Sequence, residues 1–267
     1  MHPTSRKAKN MDLTTSRIRD WAAGCLTIVL AIGSGLVFGA DADVAAALAH
    51  PDRPAADTAA DATRKPAEIL DFAGLQTGMD IFELEAGGGY FTEIISRAVG
   101  IDGSVVLHEA PGLMSFVGDR IDLRTANNRL ANVRVSLTNF DTLDAADNSM
   151  DMVTWIQGPH ELGFAPEGVN LGDPTTAFNE IYRILKPGGL YLAIDHIAAK
   201  DAGLEAGGTI HRIEESLATQ MATDSGLSVV RKSDLLKNSK DPLTAHVYNP
   251  SIRGKTSQFV VLYQKPD

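Results

Sequence analysis

Cysteine is nearly absent from this sequence: Cys25 is the only one in 267 residues. That excludes an internal disulfide and a site built from several thiolates. Cationic excess is missing too, since 34 Asp and Glu outnumber 24 Lys and Arg for a net charge of −10. A chain this acidic repels phosphate backbones and anionic lipid, so nucleic acid is excluded as the expected partner. No internal repeat, low-complexity tract or linker to a second domain interrupts the chain. The length suits one α/β domain with extras.

The N-terminus has its own pattern. Arg6, Lys7, Lys9, Arg17 and Arg19 precede an uncharged run from Trp21 to Ala40, and Ala40-Asp41-Ala42 then offers small residues to a signal peptidase. Basic, apolar, small is the order of a secretory signal. The expectation is export, to the periplasm, with residues 1–42 a signal peptide. The alternative is that the same run stays as an N-terminal membrane anchor, the one expected membrane contact. Cleavage would remove Cys25, and the missing Arg-Arg pair argues for export unfolded, without a cofactor already bound. Residues 43–64, rich in Ala and Asp, read as a loosely helical leader.

The chain is organised around residues 79–92, MDIFELEAGGGYFT. An apolar strand runs into Glu85, then Gly87, Gly88 and Gly89, then a helix over 90–99. Strand, glycine turn, helix brings backbone N–H groups against a polar or anionic ligand. A helix from Pro66 to Gly74 precedes it. Strands follow at 104–108 (ending at Glu109), 133–137, 151–157 and 190–194, with helices at 111–128, 175–185 and 210–223. Residues 158–172 read as a loop, and two strands, 227–231 and 257–264, close the chain.

From about residue 65 to 264 this pattern resembles a class I S-adenosylmethionine-dependent methyltransferase. It is similar in particular to exported predicted methyltransferases, which share openings like Arg53-Pro54-Ala55-Ala56-Asp57 and Arg64-Lys65-Pro66. The resemblance rests on the glycine loop, the acid ending the second strand, Leu185-Lys186-Pro187-Gly188-Gly189 before a buried strand, and the final strand pair. It implies a Rossmann-like α/β fold over 65–267, a mostly parallel seven-stranded sheet with an antiparallel C-terminal hairpin. It implies S-adenosylmethionine as cofactor, with Gly87, Gly88 and Gly89 letting the backbone approach its methionine part. Glu109 would then accept from the ribose hydroxyls and Asn139 from the adenine amino group, although Asp141 lies two positions on. Glu85 departs from the pattern, standing where the family usually has glycine; its charge would repel the cofactor carboxylate or pair with its ammonium group. A nicotinamide dinucleotide fold wants glycine three residues beyond Gly89, and Thr92 is there.

Ligands of open parallel sheets bind beyond the carboxyl ends of the strands. His108-Glu109, His160-Glu161 and Asp195-His196 fall at three such ends, with His211 opening the next helix. Methyl transfer needs alignment of nucleophile and methyl group, and a base where the nucleophile carries a proton. The expected catalytic residues are His160 or His196 as that base, with Asp195 orienting an imidazole or binding a small-molecule acceptor. A less favoured reading uses Asp195, His196 and His160, with His211, as ligands of a divalent metal. Arg212, Arg253 and Lys255 either contact an acidic substrate or brace the last hairpin. The alternatives to methyl transfer are an exported methyltransferase-fold binding protein without catalysis and a metal-dependent enzyme built on these histidines.

Overall fold

The computed structural model describes residues 40–165 and 169–267; the expected signal or anchor, as far as residue 39, lies outside them. Among the described residues no helix is long and apolar enough to cross a membrane. The leader forms α1 (Val44–Leu48) and α2 (Ala55–Arg64), followed by α3 (Pro66–Ala73). Pro66 opens α3, where a missing N–H costs nothing, and Gly74 ends it with φ 73°.

Next come β1 (Asp80–Leu84), α4 (Tyr90–Val99) and β2 (Ser104–Glu109). The region expected as one helix over 111–128 is instead a 3-10 turn at Pro111–Leu113, α5 (Met114–Val117), α6 (Arg120–Thr125) and a second 3-10 turn at Ala126–Asn128. Gly118 (φ 63°) and Asn127 (φ 55°) take left-handed backbone there, which no α-helix accommodates. β3 (Val133–Leu137), β4 (Met150–Ile156) and α7 (Pro174–Ile184) follow. Asp173 caps α7, its carboxylate accepting the Thr176 N–H at 2.8 Å.

β5 (Leu185–His196) is longer than expected because Lys186-Pro187-Gly188-Gly189 lies within it rather than before it. Lys265 and the two glycines exchange backbone hydrogen bonds that hold this stretch against the last strand. The helix expected over 210–223 is split into α8 (Glu205–Ile210) and α9 (Glu215–Asp224). His211 therefore ends a helix, in left-handed backbone, instead of opening one. β6 (Ser228–Ser233) and β7 (Gln258–Gln264) complete the chain.

The seven strands form one sheet in the order β3-β2-β1-β4-β5-β7-β6, with β7 antiparallel to both neighbours and the remaining pairs parallel. This is the Rossmann-like α/β arrangement anticipated above. Alternate residues bury on opposite faces, as the strand repeat requires: Phe82, Leu84, Trp155 and Tyr191 on one, Ile81, Leu192 and Ile194 on the other. The order reverses between β1 and β4, which opens a crevice beyond their carboxyl ends.

The leader is tied to this frame by charge. Arg53 is buried and pairs with both oxygens of Asp61 at 2.7 Å, and Asp61 also accepts from the Tyr90 hydroxyl. Glu93, fully buried on α4, takes hydrogen bonds from Arg97, Arg124 and Arg129, while Arg124 also reaches Asp57 of the leader at 2.7 Å. Residues 43–64 are thus a bolted-on wall.

Candidate functional site

The turn after β1 is held by the end of β2. Ala86 N–H donates to the His108 carbonyl at 2.8 Å, Glu85 N–H to His108 Nδ1 at 3.3 Å, and Gly87 N–H to Glu109 Oε2 at 3.0 Å. His108 Nε2 faces the Thr138 carbonyl at 2.8 Å, so the neutral Nε2–H tautomer satisfies both bonds; burial pulls its pKa down to about 4. Glu85, Gly87 and Gly89 all have positive φ, 52°, 58° and 74°. A Cβ at Gly87 would face open space, while one at Gly89 would sit 2.9 Å from Arg124 Cγ. The loop is consequently bare backbone on the side where a ligand would lie.

Glu85 keeps the glycine-like turn at the expense of left-handed strain, roughly 1–2 kcal/mol for a residue with a Cβ. Its carboxyl accepts the Trp155 indole N–H at 2.8 Å. Burial, then the carboxylates of Glu161 and Glu109, push its pKa well up. Both make a charged Glu85 costlier and weaken the repulsion anticipated from it. Gly158 makes room for this pair, because a Cβ there would sit 1.9 Å from Trp155 Nε1 and 2.4 Å from Glu85 Oε2.

Two cavities adjoin at the crevice. The first, about 670 Å³, lies beside Glu85, Ala86, Gly87 and Gly88 and is walled by Asp57 and Arg64 of the leader and by Arg120 and Arg124. Glu109 stands behind the loop, 1% exposed, with one oxygen on Gly87 and the other on its neighbour Ala110 N–H at 3.0 Å. Burial raises its pKa to about 7. Asn139 and Asp141 line neither cavity. Asn139 accepts the Thr142 N–H through its backbone carbonyl, and Asp141 accepts from Asp173 N–H and the Thr142 hydroxyl, bracing the chain before α7.

The second cavity, about 420 Å³, shares Arg64, Phe91, Ile156 and Gln157 with the first. Arg64, Lys65, Lys237, Arg253 and Lys255 line it together with His196 and Tyr248, and among the described residues its lining contains no carboxylate. In a chain of net charge −10 that is a strong local reversal of sign. His196 Nδ1 pairs with the Thr256 hydroxyl at 2.7 Å. Burial outweighs the nearby Asp195 and lowers its pKa to about 4, leaving a neutral ring.

His160 and Asp195 meet behind this cavity. Asp195, fully buried, accepts the His160 backbone N–H at 2.6 Å and faces Nδ1 of the same ring at 2.9 Å. Burial would lower the His160 pKa, but Asp195 and Glu161 outweigh it and push the ring up to about 10. The structure thus separates the two histidines: His196 is neutral and lines a cavity, whereas His160 is buried among carboxylates. Arg212 is fully buried and forked onto both oxygens of Asp241 at 2.9 and 3.0 Å, so it braces the segment before β7. Arg253 and Lys255 face the cavity instead. Trp155, Gly158 and Gln157 carry no motif, and only the placement of β4 beside β1 reveals them.

Comparisons with known proteins agree with this frame. The model of the ubiE/COQ5 methyltransferase family matches residues 62–215, more than half of the chain. The ubiquinone/menaquinone biosynthesis C-methyltransferase UbiE of Hydrogenovibrio crunogenus is 32% identical over 127 residues, 47% of this chain and 45% of that protein. UbiE of Idiomarina loihiensis is 27% identical over 177 residues, 66% and 64% of the two chains. The chain therefore spans roughly half to under two thirds of the length of these relatives. Among solved structures, a SAM-dependent methyltransferase from Aquifex aeolicus superposes with a TM-score of 0.57 at 19% identity, over 78% of this chain and 94% of that one. An arsenic(III) S-adenosylmethionine methyltransferase from Chlamydomonas reinhardtii does so with 0.51 at 18%, over 84% and 73%. At these identities the likeness is one of fold.

Proposed function

The chain belongs to the ubiE/COQ5 methyltransferase family, and we propose that it transfers a methyl group from S-adenosylmethionine to a small anionic acceptor. The observation that carries the reading is the pair of adjoining cavities, one at the glycine loop and one lined, among the described residues, by cations without a carboxylate. The loop fits the cofactor: the open space over Gly87 and the raised pKa of Glu85, which weakens repulsion of a carboxylate, leave room at the backbone for its methionine part.

When bound, the cofactor would supply an activated methyl group for the nucleophile's lone pair, its sulfur keeping the electrons of the broken bond. The chain's residues do the rest. Arg253 and Lys255 draw the acceptor's anionic group into the second cavity, and Arg64 and Gln157 stand where the two cavities join. Orientation of the nucleophile toward the shared wall supplies most of the acceleration. His196, neutral and steadied by Thr256, takes the proton that the nucleophile loses. Such a division of labour supports His196 over His160 as the base, since His160 already prefers its proton.

Calorimetric titration of S-adenosylmethionine and its demethylated product into the full chain tests the first half of the proposal. Micromolar binding is the expected result; no binding by folded protein would leave a ligand-holding module on the same fold. Screening of anionic against uncharged acceptors tests the second. Arg253→Ala and Lys255→Ala should each raise the KM of an anionic acceptor about 10-fold, in line with loss of a charge-assisted contact. An acceptor KM unmoved by both would refute the anionic assignment.

A further inference from the structure

The 3-10 turn Pro159–Gly163 and the end of α8 bring three metal-ligating atoms together where methyl transfer as read above uses none of them. His160 Nε2 lies 3.2 Å from His211 Nδ1 and 3.2 Å from Glu161 Oε1, and His211 Nδ1 lies 3.5 Å from the same oxygen. A tetrahedral zinc with bonds of about 2.0–2.1 Å requires its ligand atoms to stand about 3.3 Å apart. The three separations bracket that edge length. We propose that His160, Glu161 and His211 bind one Zn²⁺ ion, with the fourth coordination position open to water or a ligand.

Independent features of the surroundings support a built site. Glu161 is 8% exposed, and its second oxygen, Oε2, has no hydrogen-bond partner among the described residues. A buried carboxylate oxygen left bare is costly, and a cation bound to Glu161 lowers that cost by neutralising the carboxylate. Asp195 holds the other ring nitrogen of His160 at 2.9 Å, the carboxylate–histidine arrangement that fixes the tautomer of a metal-bound imidazole. This assigns Asp195 behind the site, in place of the ligand role that strand-end spacing suggested, and leaves His196 outside it.

The backbone is also arranged for this convergence. A Cβ at Gly163 would lie 1.8 Å from the Leu204 carbonyl oxygen, and one at Gly207 would lie 1.9 Å from that of His160. Only glycine at these points lets α8 rest directly on the turn. His211 then leaves α8 in left-handed backbone, φ 53°, a strain of about 1–3 kcal/mol that points to a task for its side chain.

The test is direct metal binding by the untagged full chain after EDTA stripping, with ZnCl₂ as calorimetric titrant and CoCl₂ as optical probe. One equivalent of Zn²⁺ should bind, and Co²⁺ should give the intense visible bands of a tetrahedral centre. Glu161→Gln preserves size and His211→Gln alters the most exposed member of the cluster, so both should fold, as circular dichroism checks. Each should weaken Zn²⁺ binding on the order of 100-fold, and Asp195→Asn about 10–100-fold, as for loss of an orienting carboxylate. His246→Ala, whose ring lies beside His211 but outside the triangle, should change neither stoichiometry nor affinity. Absence of Zn²⁺ binding by the folded chain overturns the proposal. So does binding that survives unchanged in Glu161→Gln and His211→Gln. These readouts need no methyltransferase activity, so they stand apart from the function proposed above.

Discussion

Glu109 Oε2 accepts the backbone N–H of Gly87 at 3.0 Å, so the acid ending β2 is part of the glycine loop's own scaffold. The same carboxylate is the group that the family pattern assigns to the cofactor ribose. Glu109→Ala removes both contacts and should weaken S-adenosylmethionine binding about 10-fold or more, the loss of one or two charge-assisted hydrogen bonds. Glu109→Gln retains an acceptor for Gly87 and should recover part of the affinity. Calorimetry on the two variants separates loop scaffolding from ribose recognition, and equal affinity in wild type and Glu109→Ala would remove Glu109 from the site.

Gly89→Ala should damage the loop from the other side. The new methyl carbon would stand 2.9 Å from Arg124 Cγ in backbone of φ 74°. Strain and crowding together cost about 2–3 kcal/mol. A lowered thermal midpoint with weakened cofactor binding is expected, and an unchanged melting curve would count against the rigidity ascribed to this turn.

His196→Ala should leave S-adenosylmethionine affinity within about twofold and lower kcat by about 10²–10⁴, the range of a lost general base. A fall in cofactor affinity with kcat preserved would place His196 in binding instead.

Acid should unfold the protein through Glu93. Burial opposes its charge, but hydrogen bonds from Arg129, Arg97 and Arg124 outweigh burial and hold its pKa at about 2. A carboxylate whose folded pKa lies below the ordinary 4.5 stabilises the fold fully above pH 4.5. That contribution is lost as pH falls from 4.5 toward 2. Glu93→Gln should flatten this part of the stability–pH curve and cost about 3 kcal/mol at neutral pH, because Arg97, Arg124 and Arg129 lose a shared buried counter-charge while Arg124 keeps Asp57. Denaturant melts across the pH range give both numbers.

Much of the frame was legible in the residues because it depends on local periodicity. Near-continuous apolar runs mark β1, β2 and β5 as buried strands, and positive-φ glycines and a helix-opening proline punctuate them without help from distant contacts. The split of the expected 210–223 helix was not legible, because the break is imposed from outside. Arg212 is drawn inward by Asp241, 29 residues on, and His211 turns with it. The segment from 111 to 128 broke for a nearer reason, at Gly118 and Asn127, whose left-handed backbone overrides a weak helical pattern.

The order of residues alone determined the class of sheet, the glycine turn and the acid beside it, since each needs only a short stretch of chain. Tertiary structure decided what the polar residues do. Strand-end spacing grouped His160, Asp195 and His196 as equals, yet packing turned His196 into a cation-lined cavity and joined His160 and its neighbour Glu161 to His211, 51 residues on from His160. It likewise raised the pKa of Glu85 by setting it against Trp155 and near the carboxylates of Glu161 and Glu109. Charge, tautomer and ligand geometry are set by neighbours within a few ångströms, and for these side chains the neighbours come from distant parts of the chain.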